Sequence, residues 1–279
     1  MINFNGTIVS QDNNILTQNR AFLYGDAVFE TVKIVNSKIL FLEDHYFRLM
    51  ASMRVVRMEI PMDFTMEYLE EQILSLVANN SLSSSSRARI TVFRKDGGYY
   101  LPQTNTVSFL IHTIGIEDKL YSFIEGKYEV DLFKDFYVTK QLLSSIKTTN
   151  KILNITASIF ASENGFDNCL LLNDSKNVVE AIQGNIFMLT GSKLITPPVS
   201  EGCLNGVMRK QVLALAKKMD NLQVVEEVIS PFDLQKADEL FVTNVIKGIQ
   251  PITKYRKKEF RIDLAKMLLL KLNEVVSAT

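Results

Sequence analysis

Residues 141–165 read QLLSSIKTTNKILNITASIFASENG, a polar break that runs into an apolar periodic segment. Ile152, Ile155 and Ile159 step by three and four along one helical face, and Gly165 supplies a stop, so the stretch predicts a helix. With that helix beginning at Thr148, Lys147 falls at a segment junction behind Ser144 and Ser145 instead of on a solvated helical face. Such a junction suits an amine nucleophile, which needs desolvation or a neighbouring cation to react. Position alone favours an ordinary surface lysine.

Downstream, short strands NCLLLN (168–173), VVEA (178–181), NIFML (185–189) and KLITP (193–197) alternate with polar turns. A helix is expected over Val207 to Met219, then a strand QVVEEVI (223–229), a short helix opened by Ser230 and Pro231, a strand ELFVTN (239–244) and an amphipathic helix from about Ile262. YEVDLF (128–133) and FYVTK (136–140) look like two further strands. Upstream, a hairpin spans Phe29 to Leu42 with its turn at Asn36 and Ser37. Helices follow over Asp44 to Val56 and Thr65 to Asn79, and Ser83 to Ser86 read as a polar break. RARITVFR (87–94) and TVSFLIHT (106–113) look paired, with DGG (96–98) supplying positive φ between them. The aperiodic stretch from Ile114 to Lys127 reads as a linker. An α+β fold follows: a small α/β domain over residues 1–120 and a larger domain over 121–279 with a mixed sheet or partly closed barrel.

Composition narrows the function. The chain has 279 residues, 31 basic against 31 acidic, 47% hydrophobic and 22% charged, the usage of a globular protein with a sizeable core. Zero formal charge removes the electrostatic reason to expect nucleic acid or an anionic membrane as partner. No run approaches the ~20 apolar residues of a membrane helix, and MINFNGTIVSQDNN does not read as a signal peptide, so a cytoplasmic enzyme of small molecules is expected. Two cysteines, Cys169 and Cys203, lack metal-site spacing and read as buried thiols. With His45 and His112 the only histidines, both read as structural, and no metal is expected.

Two further positions carry chemistry. Glu180 sits in an apolar strand, VVEAIQGNIF, and a carboxylate so embedded needs a partner such as a protonated pyridine nitrogen. In LNGVMR, Gly206 opens a helix whose first N–H groups lack intrahelical acceptors, a ready phosphate cup.

With these motifs in order, the chain resembles the class IV aminotransferase family, the fold type IV enzymes dependent on pyridoxal 5'-phosphate. The resemblance runs through NRAFLYGDAVFETVKI (19–34), EDHYFRL (43–49), IKTTNKILN (146–154), VVEAIQGNIF (178–187), TPPVSEGCLNGVMR (196–209) and ADELFVTNVIKGIQPI (237–252). It implies that Lys147 carries the cofactor, that Glu180 faces the pyridine nitrogen and that Arg48 binds the phosphate. It further implies that Leu204 packs on the ring and that Gly206, Val207 and Met208 form the backbone phosphate cup. Aminotransferases of the family often present threonine hydroxyls to the phosphate where this chain has Met208 and Val245, which leaves Thr243 or Asn244 as added partners. Arg94 matches a carboxylate-binding arginine of related enzymes, and Tyr24, Phe29, Tyr99 and Tyr100 are candidate pocket residues. The resemblance also implies a homodimer in which a loop of the other subunit completes the site.

Two branches of the family compete. The basic Lys151 after Asn150, the LNGVMR motif and Asn244 in VTNVIKGIQPI resemble aminodeoxychorismate lyase, which makes 4-aminobenzoate and pyruvate for folate synthesis. Phe29-Glu30-Thr31 is shared with aminotransferases, which move an amino group between a small branched-chain or D-amino acid and a 2-keto acid. The lyase is the favoured expectation.

Overall fold

The structure, a computed structural model, describes residues 1–10, 18–82 and 84–278; Ser83 of the expected polar break and residues 11–14 of the amino-terminal stretch lie outside them. The described chain divides into two compact units. The first comprises Met1–Lys119 and Ile146–Asn150, the second Leu120–Ser145 and Lys151–Thr279. No helix among the described residues is long and apolar enough to cross a membrane.

In the first unit the elements run β1 (Ile2–Phe4), β2 (Thr7–Val9), α1 (Arg20–Tyr24), β3 (Ala27–Val35), β4 (Lys38–Ile39), α2 (Leu42–Val55), α3 (Met66–Asn79), β5 (Ser85–Arg94) and β6 (Val107–Gly115). The strands form an antiparallel sheet in the order β2-β1-β6-β5-β3-β4. Alternate residues of β3 and β5, Val28, Val32 and Ile34 with Ala88, Ile90 and Val92, face the helices and pack with Leu49 and Met53 of α2 and Leu69, Ile73 and Leu76 of α3. Full burial of each such side chain contributes about 1.5–3 kcal/mol, so this two-layer core fixes the pitch of β3. Thr65 caps α3, its Oγ1 accepting from the Tyr68 N–H at 3.1 Å. Ser85 and Ser86 do not form the expected break: they are buried and pair with Val35 and Ile34 as the start of β5.

The second unit runs β7 (Glu129–Val138), α4 (Ile152–Glu163), β8 (Asn168–Asn173), β9 (Val178–Ala181), β10 (Gly184–Thr190), β11 (Lys193–Thr196), α5 (Val207–Ala216), β12 (Gln223–Glu226), β13 (Glu239–Asn244), β14 (Gly248–Ile252), β15 (Lys254–Tyr255), β16 (Lys258–Glu259) and α6 (Asp263–Ala278). A mixed sheet runs β12-β11-β10-β9-β8-β7-β15-β16, with β13 and β14 leaving it at β10. It does not close into a barrel among the described residues. The two strands expected over 128–140 are one, β7, whose register against β8 shifts between Phe133 and Val138. α5 ends at Ala216, three residues short of the expected Met219. Glu239 of β13 caps α6, accepting from the Leu264 and Ala265 N–H groups at 3.0 and 3.2 Å.

The helix after Lys147 starts at Ile152, not at Thr148. Thr148 instead bridges to Val28, the Phe29 N–H donates to the Lys147 carbonyl at 2.8 Å, and the Thr149 N–H donates to the Ala27 carbonyl at 3.1 Å. Lys147 therefore sits on a strand-like edge of β3. The isoleucine face of α4 is also not the core face. Ile152, Ile155 and Ile159 are 74%, 54% and 53% exposed, while Ala157 and Ala161 pack against Phe133, Cys169 and Leu171.

Candidate active site

In the first unit the edge pairing of Lys147 aims its amine at an aromatic ring. Its Nζ lies 4.3 Å from the centroid of the Phe29 ring, and the Arg89 guanidinium lies 3.7 Å from the same ring. Arg89 stands opposite Thr31 on one side and His112 on the other, on the face of β5 turned away from the core. Burial, then the neighbouring Arg87, lowers the Arg89 pKa, since both penalise its charge. Sequence reasoning missed Arg89; the signal was its place in RARITVFR, a strand whose alternate residues Arg87 and Arg89 are basic.

Arg48, from α2, grips Glu30 of β3 with both arms of its guanidinium: Nε to Oε1 at 2.7 Å and Nη2 to Oε2 at 2.6 Å. His45 Nδ1 meets the same Oε2 at 2.8 Å. Burial alone would raise the Glu30 pKa, but the Arg48 charge and the hydrogen bonds from His45 and Arg48 outweigh it and hold the carboxyl at about 2. The His45 pKa is lowered as well: burial disfavours its charged form more than Glu30 favours it, so the neutral imidazole is favoured.

Arg94 meets Asp26, the Val56 carbonyl and Asn105 Oδ1 (3.1 Å), so its arms are engaged inside this unit. The other Asp26 oxygen accepts from Arg20 Nε at 2.9 Å, and Arg20 Nη1 donates to the Gly97 and Tyr99 carbonyls at 2.9 and 2.8 Å. This cluster anchors the loop of Gly97 and Gly98, both of which adopt the expected positive φ. Tyr99 and Tyr100 are exposed on that loop, Tyr100 against Tyr24 at 6.0 Å between ring centroids.

In the second unit strand register assembles the other candidates. Glu180 of β9 pairs with Asn185 of β10, which pairs with Thr243 of β13, so a carboxylate, an amide and a hydroxyl stand side by side across three strands. Glu180 Oε2 accepts from the Leu204 N–H at 2.9 Å, and Asn185 Nδ2 donates to the Leu204 carbonyl at 2.8 Å, which pins Leu204 at both ends of its peptide. Gly206 is the N-cap of α5 and offers no side-chain cap, the first intrahelical bond being Lys210 N–H to Gly206 carbonyl at 3.0 Å. A Cβ on Gly206 would overlap Asn185 Oδ1, so only glycine lets α5 start this close to β10. Val207 and Met208 are buried in the first turn. Thr243 is 2% exposed and its Oγ1 has no hydrogen-bond partner among the described residues. Asn244 turns the following loop, its Oδ1 accepting from the Ile246 and Lys247 N–H groups at 3.0 and 2.9 Å. Burial, then the Glu180 charge, pushes the Cys203 thiol up to about 12, and burial pushes Cys169 up to about 11; both are free, buried thiols.

The sequence profile described as Amino-transferase class IV matches residues 27–255. The chain belongs to the class IV aminotransferase family. It is similar to a Methanocaldococcus jannaschii protein provisionally named branched-chain-amino-acid aminotransferase, 30% identical over 252 residues that cover 90% of this chain and 86% of that one. Among solved structures it is similar to the branched-chain aminotransferase of Thermoproteus uzoniensis with norvaline (TM-score 0.88, 21% identity, 99% and 94% of the two chains). It is also similar to 4-amino-4-deoxychorismate lyase of Pseudomonas aeruginosa (TM-score 0.84, 22% identity, 98% of each chain). At such identities the two structures establish the fold, that of the fold type IV enzymes.

Class IV aminotransferases work with pyridoxal 5'-phosphate, and the residues of this chain fit it. The uncapped start of α5, cleared of a Cβ by Gly206, and the orphaned Thr243 hydroxyl suit a phosphate. Glu180 suits a protonated ring nitrogen.

Proposed function

We propose that the protein is an aminodeoxychorismate lyase that uses pyridoxal 5'-phosphate to form 4-aminobenzoate and pyruvate. The observation that carries this reading is the apolar first turn of α5, where Met208 is buried at a place at which aminotransferases of the family often offer a hydroxyl. Asn244, whose side chain organises the loop after β13, and Lys151 after Asn150 point the same way.

When bound, the cofactor supplies an electron sink that eases breaking a C–H bond at the carbon bearing the substrate amine. Lys147 holds the cofactor and, once the substrate amine has taken its place, acts as base for that proton. The same amine then protonates the departing enolpyruvyl fragment, so the ring becomes aromatic as pyruvate leaves. Glu180 faces the ring nitrogen and favours its protonated form. Leu204 packs on the ring and excludes water. The N–H groups of Val207 and Met208, with Arg48 and the Thr243 hydroxyl, hold the phosphate and so fix the register of the reacting atoms. Arg89, beside the Lys147 amine on the Phe29 ring, is better placed than Arg94 to receive a substrate carboxylate, because Arg94 is spent on Asp26, Val56 and Asn105.

Pyruvate and 4-aminobenzoate released from aminodeoxychorismate would support the lyase. Stoichiometric keto-acid release when the holoenzyme meets a single amino acid would overturn it in favour of an aminotransferase acting on a small branched-chain or D-amino acid. That second reading is favoured by the 30% identical relative named for branched-chain substrates. For either reaction Lys147→Ala removes the visible absorbance of the lysine-bound cofactor and lowers turnover by about 10³-fold or more; an unchanged spectrum removes the assignment of Lys147. We also propose a homodimer, supported by the exposed isoleucine row of α4; full activity of a sedimenting monomer would contradict it.

A further inference from the structure

The stretch from Ile114 to Lys127 is aperiodic and reads as a linker, yet its middle is bolted to the second unit. Tyr121 is 4% exposed, and one side chain of α6 holds its peptide at both ends: the Tyr121 N–H donates to Asn273 Oδ1 at 2.8 Å, and the Tyr121 carbonyl accepts from Asn273 Nδ2 at 2.9 Å. Three residues on, the Gln250 side chain of β14 repeats the device, accepting from the Ile124 N–H at 2.7 Å and donating to the Ile124 carbonyl at 3.3 Å. Fixing the backbone costs about 1–2 kcal/mol per residue in entropy, a cost that a plain connection does not need to meet.

What the two brackets hold in place is the Tyr121 side chain. Its ring lies against Gly248, where φ is +75° and an added Cβ would come within 2.7 to 2.9 Å of the Tyr121 Cβ, Cγ and Cδ1. Its hydroxyl donates to the Val245 carbonyl at 2.9 Å. Burial pushes the phenol well above its usual range, so it keeps its proton and stays a donor. Val245 and Gly248 lie at the two ends of the turn between β13 and β14, so one side chain pins both. That turn follows directly on two residues assigned to the cofactor. Thr243 pairs with Ile249 and Asn244 with Gly248, the last rungs before the turn, and the end of a ladder opens more readily than its middle. Thr243 Oγ1, buried and without a hydrogen-bond partner among the described residues, is of use to a ligand only if its rung stays closed. We infer that Tyr121 is a positioning residue that holds the end of the β13–β14 hairpin and so keeps the Thr243 hydroxyl in place for the cofactor's phosphate, an assignment that rests on the reading of Thr243 as a phosphate ligand.

The test compares pyridoxal 5'-phosphate with pyridoxal, which has the same aldehyde and ring but no phosphate. Each is titrated into apoprotein prepared from the holoenzyme, with visible absorbance as the readout and thermal unfolding of the apoprotein as a control. Tyr121→Phe keeps the ring against Gly248 and removes only the hydroxyl. The expected result is a Kd for pyridoxal 5'-phosphate raised about three- to tenfold, with that for pyridoxal within about twofold. Where the phenylalanine variant does not fold, Asn273→Ala serves. It leaves the phenol intact and loosens the peptide that carries it, so the ratio of the two Kd values should rise in the same direction by less. Equal weakening of both ligands, or of neither, overturns the inference and leaves Tyr121 a packing residue. In a Thr243→Val background, Tyr121→Phe should add little to the selective loss, because the hydroxyl it holds is gone; full additivity would also overturn it. Wild-type protein that binds both ligands with the same Kd would sink the phosphate reading and the inference together, and wild-type protein that develops no absorbance with either would sink the cofactor reading itself.

Discussion

In the first unit the groups assigned to the cofactor are long side chains held by other side chains, Arg48 by Glu30 and Glu30 by His45. In the second they are backbone N–H groups and short side chains held by strand register, Glu180, Asn185 and Thr243 in one row with Leu204 pinned above it. The two constructions fail differently. A side-chain clamp is lost by changing the clamp, even conservatively. A backbone cup tolerates changes of side chain but not an added atom where two main chains approach. Met208→Leu, a swap of similar volume, should leave cofactor affinity within about twofold, whereas Arg48→Lys should not.

Gly206→Ala is the sharpest way to break that contrast. The new Cβ would overlap Asn185 Oδ1, and Asn185 is 4% exposed and committed to the Leu204 carbonyl, so it cannot swing away without giving up that bond. Overpacking of this kind costs about 1–3 kcal/mol, and losing the Asn185 bond adds about 1 kcal/mol. The expected outcome is a lower melting temperature together with a Kd for pyridoxal 5'-phosphate raised by about 10- to 100-fold. Adding Asn185→Ala should recover part of the melting temperature and little of the affinity, because the clash goes but Leu204 is released. Wild-type affinity in Gly206→Ala would mean that the phosphate is not held at the start of α5.

The same contrast explains what the sequence could disclose. Periodicity places α2, α3 and α5 to within a few residues, and Gly206 before an apolar helix is a visible signal. Partners brought together by register are not visible: nothing in VVEA or NIFML says that Glu180, Asn185 and Thr243 stand in one row. Nor does IKTTN disclose that Lys147–Thr149 pairs with the edge of β3, since in sequence these residues look like the first turn of the helix that follows. The isoleucine stripe of α4 has the period of a core face and is exposed, because periodicity reports that a face is apolar and not what covers it. Glu30 could have been found. A lone acid in the apolar phase of VFETVKIV is a local conflict of the kind that active sites retain.

The clamp in the first unit also predicts acid behaviour. Glu30 has a folded pKa of about 2, below its ordinary 4.5, so it contributes stability that is present above pH 4.5 and lost as pH falls towards 2. From the pKa difference that contribution is at most about 3 kcal/mol. His45 is also depressed in the fold, by burial, so its share is present above its ordinary 6.5 and begins to disappear at higher pH than that of Glu30. Denaturant midpoints measured from pH 8 to pH 3 should therefore fall in two stages. His45→Gln should flatten the first stage, and Glu30→Gln the second. A single stage unaffected by either variant would separate the clamp from acid stability.

Thr243→Val carries the smallest expected effect and the most specific sign. The hydroxyl is buried and has no partner among the described residues, and an unsatisfied buried hydroxyl costs about 1–3 kcal/mol. Valine has nearly the same shape and nothing to satisfy, so the apoprotein should melt at the same temperature or a few degrees higher. If the hydroxyl is kept for the phosphate, the gain must reverse on loading: affinity for pyridoxal 5'-phosphate falls several-fold while that for pyridoxal holds. Removing Glu30 or His45 cannot give the same gain in the apoprotein, since it leaves a buried partner unpaired there. A valine variant that is stabilised in both states, with unchanged affinity, would leave the phosphate to Arg48 and the α5 N–H groups. The row of Glu180, Asn185 and Thr243 would then serve the ring nitrogen and the Leu204 peptide alone.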